Sequence, residues 1–501
     1  VDIGAYELLV SAGPVLIVTQ DVYFDVPEDD PSPAGGMLRI WNGGLTGFSW
    51  TIEESCDWLM VSEAAGSTEG AGFSNVLLSV DVTGLAAGDY SCELTVIAEG
   101  ALNSPQVVEI NLHIARMIRV SLDGSGDFST IQAAIDAAVY GDTINVEAGT
   151  YIENITLKNG VALVGEGADE CIIDGNSNGP VIRSSRCNSQ TTLTRFTITN
   201  GSGHINQYGR TLGGGMYNNY SNPTVTYCVF TGNSVEYGGG IYNDSSRPEI
   251  RNCLFIDNIA EWWGGGIVNY HYSNPKVLSC NFYKNTARYG GGIYNYNSSN
   301  AEIRNCVFKE NFATSQIYFS CGGGIFNDRG SNSFISSCLF IDNTVSDAGG
   351  GVYNRSSNPT VINCTFNGNW ADIYGGAIGN YDASNPRVAN CILWKNRARH
   401  DGNEVYNLEA SGSEPCIPIF SHCNISNSGG SGINWDVLIG IDGGGNIDTN
   451  PLFVNPAEKD FRLMFDSPCI DMGDPDSEFQ PGATDLDGNP RIDNGLSLIH
   501  I

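Results

Sequence analysis

The sequence predicts an all-β protein in which a three-sided parallel β-helix follows an antiparallel β-sandwich. Three observations predict this fold. A triple-glycine motif recurs seven times, a cysteine follows each copy at intervals of 25 to 32 residues, and short alternating strands precede the repeats. A period in this range is typical of a solenoid, in which each repeat forms one coil of a stack.

The recurring motif reads Gly-Gly-Gly, an aliphatic residue, usually an aromatic residue, then Asn. Its copies occupy residues 213–218, 238–243, 264–269, 290–295, 322–327, 349–354 and 375–380. A segment built on Cys-x-Phe-x-x-Asn follows each copy, with its cysteine at Cys228, Cys253, Cys280, Cys306, Cys338, Cys364 and Cys391. We expect these cysteines to form a column of small buried side chains. The alternative, metal binding, lacks any Cys-x-x-Cys or His-x-x-x-His pair.

Three bends in each repeat predict the three sides of the coil. Asn precedes the cysteine in four coils, at Asn252, Asn305, Asn363 and Asn390, and it tolerates the left-handed backbone of a sharp bend. The Asn of Phe-x-x-Asn marks a second bend, and Ser-Asn-Pro marks a third. Period-2 alternation then directs the aliphatic residue, the cysteine and the phenylalanine inward.

Composition limits the partners of the chain. The 501 residues carry 24 Lys plus Arg against 56 Asp plus Glu, a formal charge of −32. This charge repels nucleic acid and anionic membrane surfaces, and also polyanionic glycans unless a cation such as Ca²⁺ intervenes. No run of about 18 apolar residues predicts a transmembrane segment, and the N-terminus shows no signal-peptide pattern.

Residues 14–115 predict a β-sandwich, because short strands alternate with turn clusters such as Gly43-Gly44. The segments Phe48-Ser49-Trp50, Trp58-Leu59 and Gly84 to Tyr90 resemble the BACON family of immunoglobulin-like modules. That resemblance implies an accessory or spacer module of carbohydrate-active and surface proteins. Cys56 and Cys92 lie in this sandwich and could form a disulfide.

Residues 116–165 predict the N-terminal cap of the β-helix. Ser129-Thr130-Ile131-Gln132 has a capping-box pattern, and Ile131, Ala134, Ile135, Ala138 and Val139 follow at helical spacing. Such an amphipathic helix can cover the core that a first coil exposes. This stretch resembles the cap of pectin-lyase-like right-handed β-helices, particularly pectin methylesterases, and implies a right-handed helix over residues 166–440.

The repeats also resemble those of chlamydial polymorphic membrane proteins, which are surface adhesins on such a helix. Residues 441–501 resemble the closing segment of bacterial β-helix surface proteins. In that family, a segment like Asp485 to Arg491 is followed shortly by the residues Val-Asp-Ile-Gly-Ala-Tyr-Glu. In this chain, those residues occupy positions 1–7. We therefore expect residues 1–13 to be the tail of a preceding module in a longer extracellular or cell-surface chain. The last residues, 497–501, do not match the expected continuation.

Aromatic residues around the glycine motifs are the candidate ligand-binding residues. Because the aliphatic residue points inward, the ring after it should point outward, and further rings precede the glycines or follow the Asn. The candidates are Tyr217, Tyr237, Tyr242, Trp263, Tyr270, Tyr289, Tyr294 and Tyr296. Exposed rings at this spacing suit stacking against sugar faces; the alternative is that they only stabilise neighbouring coils. Two long turns, residues 201–212 and 312–321, lie on the same side.

Catalytic candidates are weak. Glycoside hydrolysis needs two carboxylates about 5 to 10 Å apart, and adjacent coils could bring Glu236 and Glu261 within this range, with Asp244 nearby. Their offsets from the glycine motifs differ, however. The Gly-x-Val-Asp-Phe, Asn-Thr-Asp, Gly-His-Gly and Arg-x-Pro-x-x-Arg motifs of pectin-active β-helix enzymes are missing from the sequence. The resemblance to those enzymes therefore stops at the scaffold.

No cofactor is identified, and the six histidines show no metal-ligand spacing. Asp485-x-Asp487-x-Asn489 begins like a calcium loop, but Pro490 and Leu496 replace its Gly and Glu, so only weak Ca²⁺ binding by the acidic tail stays open. The sequence thus favours recognition of a polysaccharide or cell-surface glycan through the aromatic face. The alternatives are a polysaccharide lyase or glycoside hydrolase, and a structural adhesin stalk or spacer.

Overall fold

A computed structural model describes residues 13–19, 21–27, 35–315, 319–409, 412, 414–470, 472–474, 492–493 and 496–497. Residues 1–12, the calcium-like segment 485–489 and residues 498–501 lie outside the described residues. The chain divides into two compact units, which are described separately. The first comprises residues 1–118 and 138–143, and the second comprises residues 119–137 and 144–501.

The first unit is a sandwich of two sheets. One sheet contains, in spatial order, Leu16–Val18, Gly35–Asn42, Phe73–Val80 and Leu59–Val61. The other contains Val22–Pro27, Gln106–Ala115, Gly88–Ile97, Phe48–Glu54 and Ala65–Thr68. Inward-facing residues of both sheets form one core around Trp50, whose Nε1 donates to Thr68 Oγ1 at 3.1 Å. Cys56 and Cys92 form a disulfide. The predicted Ig-like β-sandwich is confirmed as a two-sheet sandwich.

Four stacked sheets of the β-helix, here named A to D in the order in which each coil visits them, form the second unit. Sheet A consists of Met117–Val120, Thr143–Val146, Ala162–Gly165, Thr192–Thr194, Thr224–Thr226, Glu249–Arg251, Lys276–Leu278, Glu302–Arg304, Phe334–Ser336, Thr360–Ile362, Arg387–Ala389, Ile419–Ser421 and Ile441–Asp442. Sheet B consists of Gly149–Ile152, Cys171–Asp174, Thr197–Thr199, Val229–Thr231, Leu254–Ile256, Asn281–Tyr283, Val307–Lys309, Leu339–Ile341, Thr365–Asn367, Ile392–Trp394 and Asn424–Ile425.

Sheets C and D complete each coil. Sheet C consists of His204–Ile205, Thr211–Leu212, Ser234–Tyr237, Ile259–Trp263, Thr286–Ala287, Phe312–Ala313, Thr344–Val345, Trp370–Ala371 and Arg397–Ala398. Sheet D consists of Ile155–Thr156, Ile182–Ser185, Met216–Asn219, Ile241–Asp244, Ile267–Tyr270, Ile293–Tyr296, Ile325–Asp328, Val352–Arg355, Ile378–Tyr381 and Val405–Leu408. Neighbouring coils pair in parallel with like residues opposite each other, such as Tyr217 with Tyr242. The predicted all-β parallel β-helix is confirmed.

Each regular coil has a fourth bend beyond the three expected from sequence. In the coil of residues 249–273, φ is positive at Asn252 (52°), Asp257 (53°), Gly264 (56°) and Tyr272 (58°). Three of these positions lie at or beside the expected bends. The fourth, at the first glycine of the motif, separates the strand of sheet C from the strand of sheet D.

Each glycine of the triple-glycine motif is required for a different reason. In the copy at residues 238–240, Gly238 has φ of 74°, which favours glycine. A Cβ on Gly239 would lie 2.3 Å from the Gly265 carbonyl oxygen of the next coil. A Cβ on Gly240 would lie 2.8 Å from the Phe255 ring. The motif thus lets a bend, a neighbouring backbone and a core ring meet in one place.

The interior is filled by columns of identical side chains. Six phenylalanines stack with ring centroids 4.4–4.9 Å apart and nearly parallel planes: Phe230, Phe255, Phe282, Phe308, Phe340 and Phe366. The seven repeat cysteines are free and at most 2% exposed, which confirms the predicted buried column. Among them, the Cys253 thiol donates to the Arg251 carbonyl oxygen at 3.2 Å.

Non-repeating segments precede and follow the regular coils of the β-helix. The single described α-helix, Ile131–Ala137, buries Ile131, Ala134 and Ile135. Instead of the expected capping box, the carboxylate of Glu153 accepts the backbone N–H groups of Ile131 and Gln132 at 2.8 and 2.9 Å.

At the other end, the chain folds back onto the outer face of sheet B. The strands Phe453–Asn455 and Asp460–Leu463, joined by the 3₁₀ turn Pro456–Glu458, pair in an antiparallel manner. Phe453 and Phe461 pack against Leu339, Ile341 and Ile392 of sheet B. A further short pair is formed by Ile492–Asp493 and Leu496–Ser497.

Buried asparagines form two hydrogen-bonded ladders. One consists of Asn233, Asn258, Asn285, Asn311, Asn343, Asn369 and Asn396, each donating its side-chain amide to the Oδ1 of the next at 2.8–3.0 Å. The other joins the motif asparagines Asn218, Asn243, Asn269, Asn295, Asn327, Asn354, Asn380 and Asn407. The asparagines before the cysteines occupy left-handed bends, as the sequence predicts: φ is 52–56° at Asn252, Asn305, Asn363 and Asn390.

The first ladder ends on a buried carboxyl group. Asn396 donates its side-chain amide to Glu404 at 2.6 Å and its backbone N–H at 3.3 Å. Burial raises the pKa of Glu404 to about 8, although these two hydrogen bonds oppose the shift.

Replacing a ladder asparagine should destabilise the protein strongly. In Asn285→Ala, the Asn258 amide loses its acceptor and the Phe255 carbonyl oxygen loses its side-chain donor, at a cost of roughly 2–4 kcal/mol. Asn300→Ala is the matched control, because Asn300 stacks in an exposed column and should cost less than about 1 kcal/mol. Urea unfolding followed by circular dichroism measures both; equal losses would contradict the role assigned to the buried ladder.

Glu404 should make stability fall as pH rises. Its folded pKa of about 8 exceeds the ordinary value of 4.5, so folding favours the protonated form. The contribution of Glu404 to the free energy of unfolding should therefore be greatest below pH 4.5 and decrease between pH 4.5 and 8, by on the order of 5 kcal/mol. Glu404→Gln should remove that decrease and Glu409→Gln, an exposed control, should keep it. Urea unfolding at several pH values measures the free energy of unfolding of each protein. Parallel pH profiles of this free energy for wild type and Glu404→Gln would refute the role assigned to Glu404.

Candidate functional site

An outer groove follows the concave angle between sheets C and D. Its floor is the second residue of successive sheet D strands: Tyr217, Tyr242, Val268, Tyr294, Phe326, Tyr353 and Gly379. Its first rim (the C rim) consists of residues that precede the glycines: Leu212, Tyr237, Trp263, Tyr289, Cys321, Ala348 and Tyr374. Its second rim (the D rim) consists of Asn219, Asp244, Tyr270, Tyr296, Asp328, Arg355 and Tyr381.

The floor rings are buried, which corrects the expectation that they are exposed. Tyr217, Tyr242 and Tyr294 are 7%, 3% and 1% exposed. They do point away from the interior, as strand alternation requires. However, the bend at the first glycine turns sheet C over them, so that rings of the two rims cover them. Alternation predicts the direction of a side chain but not whether another strand lies above it.

The rim rings are half-buried and pack on one another. Tyr237 contacts Trp263 edge to face at 4.7 Å between ring centroids, and Tyr270 stacks on Tyr296 at 5.5 Å with planes 4° apart. Trp263 also lies 5.2 Å from Tyr296. These contacts stabilise neighbouring coils, as the alternative interpretation expects. The remaining exposed parts of these rings face the groove.

A cleft of about 610 Å³ opens at the N-terminal end of the groove. The first long turn forms its wall: His204–Ile205 and Thr211–Leu212 pair as an antiparallel hairpin. Five of the eight predicted rings line this aromatic cleft, namely Tyr217, Tyr237, Tyr242, Trp263 and Tyr270. The hairpin adds Tyr208, which is 78% exposed, and Arg210. Tyr289, Tyr294 and Tyr296 are not among the described residues of its lining.

An ion pair fixes the hairpin to the neighbouring coil. Arg210 Nη1 donates to Glu236 Oε1 at 2.7 Å, and the Thr211 N–H donates to Glu236 Oε2 at 2.7 Å. Burial opposes ionisation of Glu236, but these hydrogen bonds outweigh it and lower the pKa of its carboxyl group. Glu236 is therefore a carboxylate at neutral pH and is already fully paired.

Asp244 has a different environment on the D rim. Burial raises the pKa of its carboxyl group, while the His271 imidazole, with Nδ1 3.7 Å from Asp244 Oδ1, opposes the shift. Asp244 is the one carboxylate among the described residues that line the aromatic cleft. Glu236 and Glu261 lie outside that lining, and Glu261 is exposed.

Sequence reasoning missed several residues of the site. His271 and Asn219 line the aromatic cleft together with Asp244. Asn219 lies in one column with Asp244 and Tyr270, so an alignment of the coils by their motifs could have identified it.

A buried charged network, also missed, lies further along the D rim. Arg355 donates through Nε to Asp328 Oδ1 at 2.7 Å and through Nη2 to Asp328 Oδ2. The Tyr294 hydroxyl donates to Asp328 Oδ2 at 2.8 Å. Asp328 has no exposed side-chain surface.

Within the described part of the chain, no three His, Cys, Asp or Glu side chains converge in an arrangement that could hold a metal ion. Among the same residues, no helix has the length and apolar character needed to cross a membrane.

Comparison with known proteins identifies the family. The family described as "right handed beta helix region" matches residues 137–315 and 310–437. Together these matches cover 301 of the 501 residues, and the chain therefore belongs to the right-handed β-helix family. No curated protein matches the sequence.

Matches among solved structures are partial. PapD-like domain 7 of human CEP192 is 12% identical, with 23% of this chain and 96% of that chain covered and a TM-score of 0.19. WR4, a member of the MSP family of C. elegans, is 11% identical, with 20% and 98% covered and a TM-score of 0.16. The YadV chaperone is 6% identical, with 20% and 51% covered and a TM-score of 0.17. At these scores, none of them bears on the function of the chain.

Removing one partner of the Asp328–Arg355 ion pair should destabilise the protein more than removing both. Arg355→Met should destabilise the protein by roughly 3–5 kcal/mol, because it leaves Asp328 buried without its cation. The double variant Asp328→Asn/Arg355→Met should recover most of this loss. Urea unfolding of the wild type, both single variants and the double variant forms the thermodynamic cycle. A double variant as unstable as the sum of the single variants would contradict the pairing.

Proposed function

We propose that this chain is a secreted or cell-surface binding protein that recognises a neutral glycan in the aromatic cleft. The observation that carries the proposal is the convergence of half-buried rings (Tyr237, Trp263 and Tyr270) with the exposed Tyr208 on one cleft. The disulfide Cys56–Cys92 supports a location outside the cytosol, because disulfides persist in oxidising compartments.

The chemistry of the cleft suits a sugar. Apolar C–H faces of a pyranose pack on aromatic rings, and its hydroxyl groups need donors and acceptors at the edge of those rings. Asn219, Asp244, His271 and Arg210 provide such groups around the rings. The volume of about 610 Å³ lies within the range of small-ligand sites.

Charge favours a neutral glycan over a polyuronate. The formal charge of −32 repels polyanions over the whole surface. Within the cleft, the Arg210 guanidinium is already compensated by Glu236. The other bases of the described lining are His204, whose pKa burial lowers, and His271, which faces Asp244. Neither is a dedicated partner for a sugar carboxylate.

The same geometry argues for binding without hydrolysis. A glycosidase needs a second carboxylate across the scissile bond, whereas the described lining of the cleft provides Asp244 alone. A polysaccharide lyase or hydrolase remains the competing function. Measurement of unsaturated products and new reducing ends on any bound polysaccharide distinguishes it from a binding protein.

Substitution of Trp263 should abolish glycan binding. Affinity electrophoresis in gels containing soluble neutral polysaccharides (a β-glucan, a mannan or a xylan) should show retardation of the wild type that Trp263→Ala reduces at least tenfold, because stacking area is lost. Trp262→Ala is the matched control, since Trp262 is the adjacent residue of the same strand and lies outside the cleft lining. Tyr208→Ala changes an exposed ring and provides a variant that should fold normally.

Three outcomes would overturn the proposal: no retardation by any neutral polysaccharide, equal retardation of Trp263→Ala and wild type, or retardation only by polyuronates. Circular dichroism of each variant confirms that a loss of binding does not come from a loss of fold.

A further inference from the structure

A second pocket opens where the aromatic columns of the groove are interrupted. Cys321 and Ala348 occupy C-rim positions between Tyr289 and Tyr374, and Gly379 occupies the floor position next to Tyr353. Each of these small residues stands where flanking coils carry a ring. Cys321 and Ala348 line a pocket of about 290 Å³, and the Tyr353 ring lies over Gly379.

Aromatic side chains surround this space, which we name the cage pocket. Its rings are Tyr289, Phe319, Tyr353, Tyr374 and Tyr381. Tyr353 is 7% exposed and lies at the base, whereas Phe319, from the second long turn, is 74% exposed. The rings come from three separate columns of the groove and from that turn, so they approach the space from different sides.

The charges of the cage pocket do not cancel. Arg355 lines it, but both oxygens of the buried Asp328 already bind the Arg355 guanidinium. Asp347 also lines the pocket, and Ser320 donates its N–H and its hydroxyl to Asp347 Oδ2 at 2.7 and 3.0 Å. No described cation pairs with Asp347, and burial raises the pKa of the Cys321 thiol to about 12, which keeps it neutral. Within the described lining, Asp347 is therefore a carboxylate without an ion-pair partner; from outside that lining, the Arg288 guanidinium lies 4.7 Å from the Tyr289 ring and donates to the Phe319 carbonyl oxygen.

We propose that the cage pocket binds a quaternary or methylated ammonium group. A cation gains cation–π attraction from the surrounding ring faces and a Coulomb attraction from Asp347. Methyl groups on the nitrogen match the apolar walls and remove the need for hydrogen-bond acceptors that a bare ammonium would leave unmet. The buried Asp328 has a part in this selectivity, because it cancels the charge of Arg355, which would otherwise repel the ligand.

This inference is independent of the proposed glycan binding. The cage pocket and the aromatic cleft have no described lining residue in common, and they lie at different coils of the groove. Failure of either site therefore leaves the other untouched.

Titration calorimetry with choline chloride and tetramethylammonium chloride tests the site. The key comparison is 3,3-dimethylbutan-1-ol, which has the shape of choline without its charge. Choline should bind at least tenfold more tightly than this alcohol, and sodium chloride at equal ionic strength should give no heat of binding. Equal affinity for choline and the alcohol, or no binding of choline, would overturn the proposal.

Two variants link any binding to the cage pocket. Asp347→Asn keeps an acceptor for Ser320 and should weaken choline binding at least fivefold, without changing binding of the neutral alcohol. Ala348→Phe restores a ring to the C rim, fills the pocket and should abolish binding. Asp372→Asn is the control: Asp372 accepts the Trp370 indole N–H, lies outside the described lining and should leave affinity unchanged. Unaltered choline affinity in folded Asp347→Asn and Ala348→Phe would place the ligand elsewhere and refute the assignment.

Discussion

The buried asparagine ladders set the constraint on which the rest of this β-helix depends. An asparagine side chain has both donor and acceptor groups, so it can satisfy a copy of itself in the coil above and in the coil below. Asn285 does this within the ladder and also donates to the carbonyl oxygen of Phe255. A coil displaced by one residue would leave such groups buried without partners, at a cost of a few kcal/mol for each. The ladders therefore hold the coils between residues 218 and 407 in one lateral position.

Because these coils share one lateral position, equivalent residues of successive coils lie one above another and form columns on the surface. The phenylalanine and cysteine columns fill the interior, and the glycine motif brings sheets C and D close enough to enclose a row of outward-pointing rings. Departures from the repeat then create the sites. An inserted hairpin at residues 204–212 bounds the aromatic cleft, and the small residues Cys321 and Ala348 open the cage pocket. Regular positions build the scaffold, and irregular positions provide the binding chemistry.

The sequence predicts much of this scaffold because periodicity reports directly on stacking. The inward direction of Cys253 and Phe255, the parallel pairing of like residues and the N-terminal sandwich all follow from spacing and alternation. The fourth bend was not predicted from the sequence: the positive φ of Gly264 separates two strands, and the glycine motif was not recognised as a bend. The sequence also does not show which outward-pointing side chains are covered by another strand. Tyr242 points outward as expected, but only the path of sheet C shows that it is buried.

The chemistry of the sites was less predictable than the fold, since it depends on distances between residues of different coils. Glu236 could be identified as an acid near a glycine motif, but its pairing with Arg210 arises from the conformation of the hairpin. Likewise, neither Asp347 nor Ala348 has a distinctive local motif, and their common pocket becomes visible only when columns from several coils are compared.

Hydrogen–deuterium exchange with and without a bound neutral polysaccharide tests the central claim, that the groove's N-terminal cleft is the binding site, most directly. The account predicts that the ligand slows exchange at residues 204–212 and 263–271, while sheets A and B exchange as before. Protection confined to another face of the β-helix, or to the N-terminal sandwich, would contradict it.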